Sequence, residues 1–242
     1  MEKKFKTELH CHTGDTSLCG RATSEYLVSR YLEAGYSTIV VTDHFNKTNL
    51  DMSKKYLNYI SEHDLKKNWN SKIDFFVNGY KNLKQAAEGK LNILLGMEFM
   101  SWEDKNFNDY LIFGVTEDWL RASKWIPDFT YQEMAIYAHE FGLKIYQAHP
   151  FRIKMSLADP KYLDGIEVYN GTVNVEANNS IAEIWAEHYG MKKISGSDFH
   201  EHIHKAVGGI LTDHPIETNE QLLEVLSSET NYELIKDMPE LM

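Results

Sequence analysis

Thr38-Ile39-Val40-Val41-Thr42-Asp43-His44 joins an apolar, β-branched run to an aspartate and a histidine. A run without polar alternation is typical of a strand that is buried on both faces of a parallel sheet. Aspartate and histidine are ligands of zinc, manganese and iron. These seven residues therefore predict an α/β protein in which a buried strand carries metal-type ligands at its end.

The same arrangement of an apolar strand with a polar end occurs four more times along the chain. The strand ends are His10-Cys11-His12, Gly96-Met97-Glu98, Ala148-His149-Pro150 and Ser197-Asp198-Phe199-His200. Strand side chains alternate with a period of two, so the two histidines of a His-X-His run face the same side. Ligands at successive strand ends converge if the strands are parallel and close into a barrel. The five clusters therefore predict a site with more than one metal ion.

Strand and helix patterns alternate along the chain, which favours a parallel sheet. Seven strands are predicted, over residues 5–10, 38–41, 91–95, 110–113, 144–148, 165–169 and 193–195. Helices are predicted over 23–34, 72–88, 130–141, 178–189 and 218–226, with Thr23 and Thr130 as caps and Thr218 or Asn219 capping the last. Residues 46–70 are expected to form a loop with a short helix over the mouth of the barrel.

Length and charge limit the alternatives. The 242 residues suit one barrel domain over 1–242, since such barrels have roughly 250 residues. The formal net charge of −11 argues against extended nucleic-acid binding. Only two cysteines, Cys11 and Cys19, are present, which favours a reducing compartment. No apolar run predicts a signal peptide or a membrane span, so we expect a cytoplasmic protein that does not bind membranes.

Each cluster taken alone has a simpler explanation. Asp43 could cap a helix, and His44 could be a hydrogen-bonded surface histidine. Glu98 would be costly to bury without a partner, whereas a metal would neutralise it, and its two oxygens can bridge two ions. Cys11 is expected to face away from the two histidines beside it and to pack in the core.

The remaining histidines are expected to have other roles. His139 and His188 lie in predicted helices, and three others, His63, His202 and His214, lie in polar segments. His204 also lies in a polar segment. Because His202 and His204 follow the last cluster closely, they stay open as weaker candidates for the site.

The ordered set of His-X-His, Thr-Asp-His, Gly-X-Glu, His-Pro and Ser-Asp-X-His resembles the motifs of the PHP superfamily, the polymerase and histidinol phosphatase superfamily. The resemblance covers nearly the whole chain. It implies an irregular, TIM-like (β/α)7 barrel of the α/β class with its metal site at the C-terminal ends of the strands. It also implies two or three divalent ions, which could be zinc, manganese or iron.

The resemblance implies a ligand set for each ion. The first ion would be held by His10, His12, Glu98 and Asp198; the second by Glu98 as a bridge, His149 and Asp109; and the third by His44, His200 and Cys19. Many relatives have a histidine where Asp109 stands, and an aspartate or histidine near Cys19, to which Asp15 is also close. Relatives commonly have an aspartate at the position of Glu8, which is expected to support the ligands without binding metal.

The resemblance implies hydrolysis of a small phosphate monoester, histidinol-phosphate-like or nucleotide-like, with inorganic phosphate as a product. Two ions a few Å apart would activate water for in-line attack on phosphorus, with Glu98 and Asp198 as central catalytic residues. Arg21 and Arg152 follow metal clusters closely and are candidates for binding the phosphoryl oxygens, although both could be surface residues. Specificity is expected from residues 46–70 and 101–108.

Two alternatives stay open. An amidohydrolase-like barrel enzyme acting on an amide or a lactone would also use a His-X-His run and a late aspartate. Such enzymes usually carry a metal-bridging lysine, and no strand-end lysine stands out here. A metal-binding regulatory domain without turnover would be favoured by a damaged ligand set, whereas the main motifs of this chain are all present.

Overall fold

Two mixed β-sheets form the centre of this α/β fold. The computed structural model describes residues 4–50, 68–103 and 106–237. The strands are β1 (Phe5–Cys11), β2 (Tyr36–Val41), β3 (His44–Phe45), β4 (Asn92–Leu95), β5 (Met97–Glu103), β6 (Asn106–Phe113), β7 (Lys144–Gln147), β8 (Gly165–Asn170), β9 (Lys192–Gly196), β10 (Gly208–Thr212) and β11 (Glu233–Lys236). The first sheet has the order β11-β10-β1-β2-β4, and the second has the order β3-β5-β6-β7-β8-β9.

Helices lie in half of the connections between successive strands. They are α1 (Ser24–Glu33), α2 (Lys47–Leu50), α3 (Trp69–Ala87), α4 (Glu117–Ala122), α5 (Tyr131–Glu140), α6 (Asn179–Tyr189) and α7 (Asn219–Val225). Among the described residues, no helix combines the length and the apolar character that crossing a bilayer requires. The short helix predicted after residue 46 is α2, whereas the rest of the predicted loop, residues 51–67, lies outside the described residues.

The predicted helix caps are confirmed. The Thr23 side chain accepts a hydrogen bond from the Tyr26 amide at the start of α1. Thr130 and Glu133 form a reciprocal capping box at α5. Thr218, and not Asn219, caps α7. These ends are set by local hydrogen bonds, which is why the sequence predicts them well.

The expectation of a wholly parallel sheet is wrong at two strands. β6 pairs antiparallel with both β5 and β7, and β10 pairs antiparallel with β1 and β11. β5 was not predicted as a strand, because its sequence mixes apolar residues with two glutamates. Only two positions separate β5 from β6 in the sequence, and so short a connection returns the chain as an antiparallel hairpin.

The two sheets do not close into a ring within the described residues. The chain passes between the two sheets several times, for example at Gly96 between β4 and β5, and an isolated parallel bridge joins Cys11 to Phe199. Eleven strands are present in the described residues, where seven were expected. The complete (β/α)7 barrel is therefore not confirmed, and a single domain over all 242 residues stays a prediction.

A buried apolar layer lies between the two sheets. Its members include Leu9, Val40, Leu94, Leu111, Tyr146, Ile194 and Ile210, which come from seven strands of both sheets, and Leu222 of α7 covers it. Two further clusters pack helices against the outer faces, one around Phe76 of α3 and one around Tyr31 of α1. Burial on both sides holds the strands in place, so the residues at their ends have fixed positions.

Candidate metal centre

The five predicted clusters come together at one end of the two sheets. His10 lies in β1 and His12 follows it, His44 lies in β3, Glu98 lies in β5, His149 follows β7, and Asp198 and His200 follow β9. Most of these side chains are almost completely buried, and His44 and His200 are the more exposed ones. The expectation that metal-type ligands converge at strand ends is therefore supported by their positions.

Ligand atoms of four residues surround one small space. The Nε2 atoms of His10 and His12 lie 3.1 Å apart. The His10 nitrogen lies 3.3 Å from Glu98 Oε1 and 3.3 Å from Asp198 Oδ1. The His12 nitrogen lies 3.3 Å from Glu98 Oε2 and 3.4 Å from Asp198 Oδ1. Zinc–nitrogen bonds of about 2.0–2.1 Å in a tetrahedron place neighbouring ligand atoms about 3.3–3.4 Å apart, so these spacings suit one ion. His10, His12 and Asp198 form one compact group beside Glu98.

A second group of ligand atoms shares Glu98. His149 Nε2 lies 3.2 Å from Glu98 Oε1, and His10, Glu98 and His149 form one compact group. Asp109 lies opposite Met100 in the β5–β6 hairpin and groups with Glu98 and His44. Burial, with the negative charge of Glu98 beside it, raises the pKa of Asp109 to about 6. Glu98 is therefore central to two groups, as a bridging carboxylate would be.

His44 lies closer to Glu98 than its expected place in the third ligand set implies. Its Nδ1 atom is 2.7 Å from Glu98 Oε2. It also groups with His12 and His200, whose rings stack with their centroids 4.0 Å apart. His44 thus stands between the second and third predicted sets and has a nitrogen within reach of both.

The Cys19 thiol lies beside the same two outer histidines. Burial of the thiol would raise its pKa, but contacts with His200 and His44 outweigh this and lower the pKa of Cys19 to about 7. The residue as a whole is exposed, whereas Cys11 is buried and packs in the cluster around Tyr31, as predicted. A thiolate next to two imidazoles is a suitable donor set for a soft divalent ion.

Several buried polar atoms in the cluster have no hydrogen-bond partner. They are Glu98 Oε2, His44 Nδ1 and His149 Nδ1. The first two lie 2.7 Å apart but are not oriented for a hydrogen bond. An unpaired buried polar atom costs free energy, and native proteins satisfy nearly all of them. Ions bound among these residues would satisfy the oxygen of Glu98, so the donor set fits the metals that the motifs imply.

The charges of the cluster are arranged for metal binding. Burial acts against ionisation of Glu98, but the charges of His44 and His10 hold its pKa well below the usual range. The pKa of Asp198 is likewise well below its usual value, because His10 and His200 outweigh the effect of burial. Burial, with His200 and His44 nearby, places the pKa of His12 well below its normal value. These carboxylates are therefore ionised and His12 is neutral, which are the forms that bind metals.

Sequence reasoning missed one buried carboxylate, Glu167. Its Oε1 atom lies 2.9 Å from His10 Nδ1, and its Oε2 atom accepts hydrogen bonds from the His149 amide and the Asn170 side chain, each at 2.9 Å. Glu167 lies in the otherwise apolar run Gly165-Ile166-Glu167-Val168. An acidic residue inside a run that reads as a buried strand was the signal that could have identified it.

Glu8 and Asp43 stabilise the backbone around the ligands. Glu8 Oε1 accepts from the amides of His10 and Ser197, at 2.9 Å each, as expected for a supporting residue. Asp43 Oδ1 accepts from the Thr13 amide at 2.8 Å and from the Ser17 hydroxyl at 2.6 Å. Asp43 therefore fixes the loop that follows His12 and does not cap a helix.

The two predicted phosphate-binding arginines differ in position. Arg152 is mostly buried and donates to Asp198 Oδ2, and it also donates to Asn170 Oδ1 at 3.1 Å. The Arg21 amide donates to the His200 carbonyl at 2.7 Å, but the residue lines a groove with Asp15 and Gln85 that contains none of the predicted ligands. Proximity in sequence placed the Arg21 backbone beside the site, but no described contact joins its side chain to the ligands.

His149 and Asp198 adopt backbone conformations that residues with side chains seldom adopt. Their φ angles are 27° and 50°. Left-handed backbone outside glycine costs free energy and persists only where the surroundings enforce it, often at functional sites. His204, one of the weaker candidates, accepts a hydrogen bond from the His200 amide at 2.9 Å and so contacts the backbone of a predicted ligand.

A family comparison identifies a match over most of the chain. A family model described as the PHP domain matches residues 8–230. No curated protein matches the chain in sequence.

Solved structures resemble the fold at low sequence identity. A two-domain protein from Bacteroides vulgatus that contains a predicted PHP-like metal-dependent phosphoesterase has a TM-score of 0.63 at 15 % identity, covering 98 % of this chain and 66 % of its own. PsfC from Pseudomonas syringae has a TM-score of 0.61 at 15 % identity, covering 99 % of this chain and 93 % of its own. An amidohydrolase from Chromobacterium violaceum, with sulfate bound and no metal, has a TM-score of 0.55 at 13 % identity, covering 91 % and 96 %. At these identities the likeness concerns the fold alone.

Proposed function

Because the chain belongs to the PHP domain family, we propose that it is a metal-dependent phosphoesterase that hydrolyses a small phosphate monoester. The observation that carries this proposal is the convergence of His10, His12, Glu98 and Asp198: the two histidine nitrogens lie 3.1 Å apart, and each lies within 3.4 Å of an oxygen of both carboxylates. These spacings match those around one tetrahedral ion, and the adjoining ligands extend the site beyond one ion. Inorganic phosphate and an alcohol would be the products.

The ligand assignment is part of the proposal. His10, His12, Glu98 and Asp198 would hold the first ion; Glu98, His149 and Asp109 the second; and His44, His200 and Cys19 the third. Zinc, manganese or iron in these places would activate water and neutralise charge on the phosphoryl oxygens. The close contact of His44 with Glu98 supports a second role for His44 beside the Glu98 bridge.

Arg152 is the residue best placed to bind the phosphoryl group. Its guanidinium already contacts Asp198, and its Nε atom is buried without a hydrogen-bond partner. A guanidinium fork matches two phosphoryl oxygens, and an unpaired N–H close to the ligands offers a further donor. Arg152 would orient the ester and stabilise charge that develops as the phosphorus–oxygen bond breaks.

The organic part of the ester has a groove available along β5. Side chains two residues apart on a strand share a face, so Met100 and Trp102 follow Glu98 on its face of the hairpin. Both line a groove of about 260 Å³ together with Phe129, and the Trp102 side chain is exposed. We expect an apolar or aromatic leaving group to lie against Trp102, within the region 101–108 from which specificity was predicted.

The amidohydrolase alternative has less support. Such enzymes usually bridge their metals with a lysine, and in the described part of the chain no lysine forms a salt bridge with Glu98 or Asp198. The likeness to the amidohydrolase from Chromobacterium violaceum concerns the fold alone.

The test is a hydrolysis panel on protein purified without chelators. Phosphomonoesters, phosphodiesters, amides and lactones are assayed before metal removal, after it, and after return of zinc, manganese or iron. We expect phosphate release from monoesters that is lost with the metal and restored by its return. Hydrolysis of amides or lactones alone would favour the amidohydrolase alternative. A fully loaded protein without turnover would favour the regulatory one.

A further inference from the structure

We propose that Glu167 is the positioning residue of the metal centre, because its one carboxylate sets both the tautomer of His10 and the backbone of His149. The inference rests on the metal-binding part of the proposed function and not on its substrate. Glu167 is 1 % exposed and lies in β8, between β7 and β9. A carboxylate buried so completely must have strong partners, and its partners are two predicted ligands.

The contact with His10 fixes which ring nitrogen carries the proton. His10 Nδ1 lies 2.9 Å from Glu167 Oε1, and a carboxylate can only accept, so Nδ1 is the donor. With its proton on Nδ1, the ring can present the lone pair of Nε2 to the space shared with Glu98 and Asp198. A carboxylate that accepts from the distal nitrogen also makes the ligating nitrogen more basic.

The second carboxylate oxygen of Glu167 positions the backbone of His149. Oε2 accepts from the His149 amide at 2.9 Å, at the residue whose φ is 27°. This hydrogen bond helps to stabilise a left-handed turn that the His149 side chain disfavours. The turn aims His149 Nε2 at Glu98 Oε1, 3.2 Å away. One carboxylate thus positions ligands of the first and the second predicted ion.

A neighbouring residue extends this network to a third ligand. The Asn170 side-chain amide donates to Glu167 Oε2 at 2.9 Å and to Asp198 Oδ2 at 3.2 Å. Asn170 Oδ1 in turn accepts from Arg152. Asp198 is therefore connected to the Glu167 carboxylate through the Asn170 side chain. The backbone of Asp198 is also left-handed.

Gly196, in the neighbouring strand β9, leaves space for the contact between His10 and Glu167. A Cβ atom at Gly196 would lie 2.3 Å from His10 Cβ and 2.6 Å from Glu167 Oε1. Neither distance is sterically possible, so any larger residue at position 196 would displace the pair. The glycine is an independent sign that the contact between His10 and Glu167 is built into the packing of the strands.

An isosteric amide cannot replace Glu167. If the oxygen of a glutamine faced His10 Nδ1, its NH₂ group would face the His149 amide, which is also a donor. If the NH₂ group faced His10, the ring would have to accept at Nδ1 and carry its proton on Nε2, towards the metal space. Either orientation leaves a buried donor unpaired or removes a metal ligand, so Glu167→Gln should damage the site without changing its volume.

Asp164 provides a matched control outside the metal centre. Its side chain is mostly buried, and its carboxylate also contacts a histidine and a backbone amide: Oδ2 lies 2.9 Å from His139 Nε2 and accepts from the Ile145 amide at 3.0 Å. Neither partner is a predicted ligand. Asp164→Asn therefore removes a charge from a similar arrangement and leaves the His10 tautomer untouched.

The experiment measures metal binding by competition with a chromophoric chelator, using zinc and no phosphate ester. We expect Glu167→Gln to lower zinc affinity about 10–100-fold, the range for residues that orient metal-bound histidines. Asp164→Asn should stay close to wild type, and Glu167→Asp, which keeps the charge but has a shorter reach, should lie between them. Nitrogen-15 NMR of histidine-labelled, zinc-loaded protein should show a protonated His10 Nδ1 in wild type, and this signal should be lost in Glu167→Gln.

Wild-type affinity in Glu167→Gln, or equal losses in Glu167→Gln and Asp164→Asn, would overturn the proposal. If Glu167→Gln does not fold, the comparison is made with Glu167→Asp, in which an unchanged affinity and an unchanged His10 signal would contradict it. Because both readouts are independent of turnover, the absence of phosphatase activity would refute the proposed substrate and leave the role of Glu167 standing.

Discussion

The Nε2 atoms of His10 and His12 face each other at 3.1 Å, with oxygens of Glu98 and Asp198 within 3.4 Å of them. Two buried nitrogens so close must share a proton or a cation. Burial lowers the pKa of His10, but Asp198, Glu167 and Glu98 outweigh it and raise that pKa well above its usual value. Without metal, a proton on His10 can fill the gap to His12; with metal, an ion takes that place.

Metal content is the first quantity to measure. We expect elemental analysis of protein purified without chelators to find at least two ions per chain, because two ligand groups share Glu98. Removing them should lower the melting temperature, since a ligand that binds only the folded state at about 100 times its Kd contributes about 2.7 kcal/mol. Folded protein with no bound metal would contradict a multinuclear centre.

Glu98→Gln should abolish the bridge between the ions. The substitution keeps the shape but removes the charge that both ligand groups use, so metal occupancy should fall and turnover should drop by at least about 10². Glu88→Gln, at an exposed residue outside the site, is the control. Wild-type metal content and turnover in Glu98→Gln would mean that Glu98 does not bridge.

Arg152→Ala should separate phosphate binding from metal binding. We expect turnover to fall by roughly 10²–10³, the scale for one preorganised charge-stabilising donor, and inhibition by inorganic phosphate to weaken. Arg152→Lys should restore little, because lysine lacks the fork that matches two oxygens. Arg21→Ala is the comparison, and a much smaller effect is expected from its position in the neighbouring groove. Equal losses in both variants would return Arg21 to the phosphate site.

Cys19 can be tested by its own chemistry. Cys11 is buried, so alkylation of the folded protein should report on Cys19 alone. Contacts with His200 and His44 lower its pKa to about 7 against the effect of burial, so alkylation should be fast near neutral pH. If Cys19 binds the third ion, saturating zinc should protect it. An alkylation rate that zinc does not change would remove Cys19 from the ligand set.

Trp102→Ala tests the groove along β5. Stacking on an aromatic side chain contributes about 1–3 kcal/mol, so kcat/KM for an aryl phosphate should fall about 5- to 150-fold. The value for glycerol phosphate, which has no ring, should change little. A similar loss for both esters would show that Trp102 supports the hairpin and not the leaving group.

The strand ends were predictable because both signals that mark them are local. An apolar run followed by histidine or aspartate, as at His10 or His149, shows burial and ligand chemistry within a few residues. The helix caps at Thr23 and Thr130 are local for the same reason. For these parts, the neighbouring sequence contains the information that determines the structure.

Other features depend on contacts between distant segments. The antiparallel course of β6 follows from its pairing with β5 and β7, which no single segment encodes. Glu167 looked like one polar residue in a strand until the packing of β7 and β9 around β8 showed where its carboxylate points. Arg21 shows the opposite error. Its position next to a motif in the sequence predicts where its backbone lies, but not where its side chain points.

The repeated passage of the chain between the two sheets, at Gly96 and elsewhere, has a consequence for how the protein assembles. His10 and His12 come from the first sheet, whereas Glu98, His149 and Asp198 come from the second. Glu8 and Ser197, which lie 189 positions apart, are hydrogen-bonded at the same place. No half of the chain can form the centre alone, so an ion can bind tightly only after both halves have docked. Metal capture should therefore be a late folding event that reports completion of the whole structure and slows its unfolding.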